Sequence, residues 1–161
     1  MCKQRAPEPL SVVSRMGKDR PMDFRLLVVR AKWRANLRPT PAVLATDDEI
    51  LHLLGTNGGG GIADLFALAT GGTLRLSIAD FVDVGTLPID VTANVANDYK
   101  RGEVIHAAAM ALPASISLEE YDGIVVWIGD PCDAGALKKA LYVERDGRAT
   151  RINGALLTDG H

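Results

Sequence analysis

Cysteine, histidine and aromatic side chains are scarce: 161 residues hold two Cys, three His, three Phe, three Tyr and two Trp. Cys2 and Cys132 are too few for a disulfide framework, and neither has a Cys or His neighbour at zinc-ligand spacing. His52, His106 and His161 stand more than fifty residues apart, so an H-E-x-x-H helix is absent from these residues. Glu103 and His106 share the three-residue spacing that di-metal carboxylate bundles use in pairs, but one copy does not make such a site. Ser11, Ser14, Ser77, Ser115 and Ser117 lack the G-x-S-x-G elbow that exposes a nucleophile. No catalytic residue and no metal ligand is therefore assigned. Long apolar runs are missing as well, which excludes a helical membrane span. The N-terminal stretch MCKQRAPEPLSVVSRMGK has no apolar core of a secretory signal, and the compartment stays open.

What is present fits one folded domain. Hydrophobic residues make up 47% and charged residues 24%, with a net charge of -2. That balance is ordinary for a globular chain, and this length suffices for one sizeable core. The charge is unevenly spread: residues 1–40 hold ten Lys/Arg against Glu8, Asp19 and Asp23, a net of +7, leaving -9 on the rest. The basic side chains are scattered without interleaved aromatics, so a solvated tail is favoured over a nucleic-acid arm. Pro7, Pro9, Gly17 and Pro21 mark residues 1–22 as a tail or linker, and 23–161 read as a single α/β domain.

Within that domain FRLLVVRAKW, Phe24 to Trp33, reads as the first strand, broken by Leu37–Pro41. Thr46-Asp47-Asp48-Glu49 is a capping box ahead of Ile50, Leu51, Leu53 and Leu54, and Gly55 stops that helix. The run Gly58–Gly61 lacks the Gly-Lys-Ser/Thr of a phosphate loop and follows a helical pattern, so it reads as a connector. Ile62, Leu65, Phe66 and Ala69 recur at helical spacing. Leu74, Leu76 and Ile78 alternate with Arg75 and Ser77, as in a half-exposed strand. Phe81, Val82 and Val84 continue it as a hairpin-like segment ended by Gly85 and Pro88. Asp98 caps a helix reaching about Leu112 whose buried face is Val104, Ile105, Ala108, Ala109 and Leu112. IVVWI, Ile124–Ile128, reads as a central strand covered on both faces. Gly135–Lys139 reads as a loop. Two strands, Ala140–Glu144 and Thr150–Leu157, then flank the hairpin dipeptide Asp146-Gly147.

The 28-residue passage GIADLFALATGGTLRLSIADFVDVGTLP, Gly61 to Pro88, and the later YDGIVVWIGD resemble the N-terminal subdomain of immune-inhibitor-type zinc metallopeptidases, which are zincins. There a strand, a helix, an "ADYW" helix, a strand with a Pro turn and a D-G-apolar strand precede the zinc helix. The resemblance spans Phe24 to Leu157; Thr70 replaces the usual Ser before Gly, and Leu65-Phe66 the usual aromatic pair. It implies a mixed sheet with flanking helices, a zincin-like N-terminal subdomain that stops short of the half carrying the chemistry. Zinc is implied only for a full-length member, and most members are secreted. It further implies an extended peptide as partner, paired to an edge strand for which Thr73, Leu74, Arg75, Leu76, Ser77 and Ile78 are the candidates. The competing expectation is a self-contained α/β binding module whose basic arm meets an anionic partner.

Overall fold

A parallel sheet is assembled around one apolar strand. The computed structural model describes residues 21–35, 38–39, 43–55, 61–90, 98–129 and 135–159. Along the chain these give β1 (Met22–Ala35), β2 (Arg38–Pro39), α1 (Asp47–Leu54), α2 (Ile62–Ala69), β3 (Leu74–Asp90) and α3 (Asp98–Met110). A short turn of 3-10 helix at Leu118–Glu120 precedes β4 (Gly123–Ile128), β5 (Gly135–Ala136), β6 (Leu141–Arg145) and β7 (Arg148–Thr158). β1 takes β3 along one edge and β4 along the other, both parallel. β7 lies parallel to β4 through Asn153–Thr158, and β5 closes that side antiparallel at Leu156 and Ala155. β2 folds back on the end of β1 at Arg34 and Ala35. β6 joins only through its hairpin with the first half of β7. The fold is thus α/β, a mixed sheet with flanking helices.

Parallel neighbours demand crossovers, and the helices supply them. α1 and α2 lie between β1 and β3 in the chain, α3 between β3 and β4. Alternation along β1 then sorts side chains to two faces. Leu27, Val29, Ala31 and Trp33 join Val104, Ile105, Ala108 and Ala109 of α3, with Ile124, Val126, Ile128 and Leu156, in the larger core. Val28 joins Ile50 and Leu54 of α1, with Val125 and Trp127, in a smaller one on the opposite face. Every residue of β4 is buried, as a strand clad on both faces requires.

Local chemistry sets the helix limits. The Thr46 hydroxyl accepts from the Glu49 amide at 3.2 Å and the Glu49 carboxylate accepts from the Thr46 amide at 2.7 Å, a reciprocal cap. The Thr46 amide, and the Thr46 hydroxyl at 3.0 Å, both donate to the Glu49 carboxylate and pull it below its ordinary range. Gly55 ends α1 at φ 77, and a Cβ there would stand 2.7 Å from the Gly61 Cα, so the two helices meet where only glycine fits. Arg145 serves α3 in the same way, its guanidinium donating to the carbonyls of Leu112 at 2.9 Å, Pro113 at 3.1 Å and Ile116 at 3.2 Å.

Three expectations differ from the structure. Residues 74–90 form one strand rather than a hairpin: Gly85 at φ 68 and the Asp83 carboxylate, which accepts from the Gly85 amide at 2.8 Å, make local irregularities in the pairing instead of a reversal. An edge strand tolerates such bulges, and Pro88, because its outer side owes no ladder bonds. Gly135–Ala136, expected in a loop, pairs with β7, and Arg38–Pro39 pairs with β1. Two-residue strands carry no periodicity to read. The helix marked by Ile62, Leu65, Phe66 and Ala69 forms as α2, with Leu65 64%, Phe66 44% and Leu68 82% exposed and only Ala63 buried. The tail expected at 1–22 falls almost entirely outside the described residues.

Chemical denaturation checks this division of burial. Ile105→Ala, at a fully buried position of the larger core, should cost about 2–5 kcal/mol. Leu68→Ser should stay within about 0.5 kcal/mol.

Candidate functional site

The candidate peptide-pairing residues sit where α2 turns into β3. The Thr70 hydroxyl donates to the Phe66 carbonyl at 2.7 Å and accepts from the Leu74 amide at 3.1 Å, while the Thr73 hydroxyl donates to the Thr70 carbonyl at 2.7 Å. Gly71 and Gly72, at φ 60 and 80, turn the chain between them. Thr73 itself precedes the strand; Leu74 to Ile78 are its first five residues. The Met22 amide donates to the Thr73 carbonyl at 2.7 Å, which fixes the phase of the ladder. Peptide groups alternate along a strand, so Arg75 and Ser77 direct their main-chain groups to β1, and Leu76 and Ile78 direct theirs to the outer edge. Among the described residues β3 pairs with β1 alone. Thr73, Arg75 and Ser77 are exposed, while Leu74, Leu76 and Ile78 are half-buried on the helix side.

β3 is pinned one step further on. The Tyr121 hydroxyl donates to the Asp80 carboxylate at 2.7 Å, and the Arg25 guanidinium lies 5.8 Å from the Tyr121 ring centre. Burial, followed by the bond to Asp80, pushes the Tyr121 hydroxyl up from 10.0 to about 12, with Arg25 opposing. Asp122 adds to this corner: its carboxylate accepts from the Arg25 amide at 2.8 Å and its own amide donates to the Arg25 carbonyl at 2.9 Å.

A second polar cluster lies at the opposite, carboxyl ends of the strands. The Asp159 carboxylate accepts from the Trp127 indole at 2.7 Å, the Leu44 amide at 2.6 Å and the Ala45 amide at 3.4 Å. Arg30 of β1 donates to the Ala45 carbonyl at 2.9 Å and pairs with Asp47 at 2.5 Å. Sequence patterns gave no sign of this cluster, since Leu44 and Asp159 are 115 residues apart.

The histidines do not converge. His52 is exposed on α1 and His106 exposed on α3, and these helices cover opposite faces of the sheet. Cys2, Cys132 and His161 lie outside the described residues. Among the described residues no three His, Cys, Asp or Glu side chains stand close enough to hold a metal ion. A groove of about 310 Å³ opens between the Leu118–Glu120 turn and the β6–β7 hairpin. Its Arg145 is committed to the carbonyls at the end of α3, and its Arg148 faces Glu119 at 3.6 Å. No described helix is long and apolar enough to cross a membrane. Compared with protein-family models, curated proteins and solved structures, the chain has no match.

The Tyr121 hydroxyl sets an alkaline limit. Its folded value of about 12 exceeds its ordinary 10.0, so the proton stabilises the fold fully below pH 10 and that contribution is lost as the pH climbs towards 12. Ultraviolet titration of the folded chain should show a phenol that ionises well above pH 10 and is absent in Tyr121→Phe. The unfolding free energy of the wild type should fall more steeply than that of Tyr121→Phe over the same interval.

Proposed function

We propose that this chain is the N-terminal part of a zincin-type metallopeptidase domain of the immune-inhibitor kind, contributing the fold and a peptide-pairing edge rather than the catalytic groups. The observation that carries the reading is the passage Gly61 to Pro88. It folds as helix α2, a glycine turn and the edge strand β3, in one sheet with the Asp122-Gly123-apolar strand β4. The order strand, helix, helix, strand and Asp-Gly-apolar strand follows the one the resemblance describes, with α3 lying between the last two strands. Zinc belongs to the family's H-E-x-x-H helix, and no metal-dependent step is assigned to residues here.

The role left to these residues is recognition of backbone. An extended peptide adds to a sheet by main-chain hydrogen bonds, with alternate side chains deciding specificity. On β3 the outward groups of Leu76 and Ile78 offer donors and acceptors for such a strand, and the exposed Arg75 and Ser77 flank them. The other end of the sheet presents β5, only two residues long.

Amide exchange on the full chain, with and without an excess of extended peptides of mixed sequence, tests the proposal. In the free protein Leu76 and Ile78 should exchange faster than Arg75 and Ser77, and peptide should slow Leu76 and Ile78. Protection at Gly135 to Leu137 instead would move the peptide to the β5 edge. No protection at either edge would remove peptide recognition from this chain.

A further inference from the structure

The two layers that flank the sheet are held by unequal means. Among the described residues nineteen buried side chains form the core on the α3 side. Five form the core under α1. Only Ile50 and Leu54 of α1 enter that smaller core, and α2 buries Ala63 alone while Leu65, Phe66 and Leu68 face outward. Gly55 and Gly61 bring the end of α1 directly against the start of α2. Partly buried Val43 and Ala45 add to the small core, and polar contacts supplement it at one end. Asp159 takes the Leu44 and Ala45 amides and the Trp127 indole, and Arg30 takes the Ala45 carbonyl and Asp47. Segments with few buried apolar contacts open below the global unfolding free energy, as cooperative units.

We propose that Val43–Thr46, α1 and α2 form a cover that opens from the sheet as one unit while the α3 side stays folded, with Asp159 as its latch. Opening uncovers an apolar sheet face, Val28, Val125 and Trp127, bordered by Ile78 and Phe81. Asp159 reaches the cover through the Leu44 and Ala45 amides and is itself held by the Trp127 indole to the face that opening uncovers. The inference is independent of whether the β3 edge takes a peptide.

Native-state hydrogen exchange on the full chain tests it, comparing wild type, Asp159→Ala and Val143→Ala, the last removing volume from the larger core. In Asp159→Ala the amides of Ile50 and Gly55, which close α1 on Thr46 and Leu51, should exchange about tenfold faster or more, since one lost charge-assisted hydrogen bond suffices for that. Ala108, Ala109 and Val126 should keep their wild-type rates. Val143→Ala should accelerate Ala108, Ala109 and Val126 and leave Ile50 and Gly55 at their wild-type rates, since these exchange through the lower-lying opening. Equal acceleration of α1 and α3 in Asp159→Ala, or loss of all protection, would show one indivisible unit and overturn the proposal. Unchanged rates at Ile50 and Gly55 would show that Asp159 latches nothing.

Discussion

Everything in this fold depends on burying β4 on both faces. IVVWI offers no polar side chain to water, so each face of the strand needs its own apolar layer. β1 shares the requirement, because its alternating side chains feed both layers. Parallel pairing of β1 with β3 and β4 then forces the connections out of the sheet plane, one over each face. The two helical layers follow from that constraint.

The layers are unequal in chemistry as well as in size. α3 contributes small residues, Ala107, Ala108 and Ala109, that let the helix lie close to the sheet, with Val104 and Ile105 filling the space beside them. The carbonyls just beyond its end, at Leu112 and Pro113, are taken by Arg145 from the distant hairpin. The α1 side has less apolar surface to bury and relies on Asp159 and Arg30 at one end. Charge-assisted bonds of that kind are directional, so they fix orientation more than they supply burial. The outward apolar arc of α2 is the other consequence: eight residues between Gly61 and Thr70 cannot both touch β3 and turn every apolar side chain inward.

Much of this was legible in the residues. Thr46 and Glu49 declare a helix start at a spacing that leaves little alternative, and the reciprocal bonds between them are present. The buried face of α3 and the Asp146-Gly147 turn, with both residues at positive φ, were equally readable. The strand at Thr73–Ile78 was placed correctly in the chain, because its period of two reflects one half-buried face. The hairpin expected at Gly85 was not, because glycine marks a bulge as readily as a reversal.

The sequence by itself determined the local elements and the need for a two-faced cover over β4, since periodicity, caps and turns act over a few residues. Only the tertiary structure decided that β3 lies at the edge, that β7 runs on past its hairpin to pair with β4, and that Asp159 meets Leu44. These are choices among distant partners. Strand pairing is a backbone interaction that leaves no record in side-chain type, and a carboxylate that binds backbone amides carries no signature of which ones.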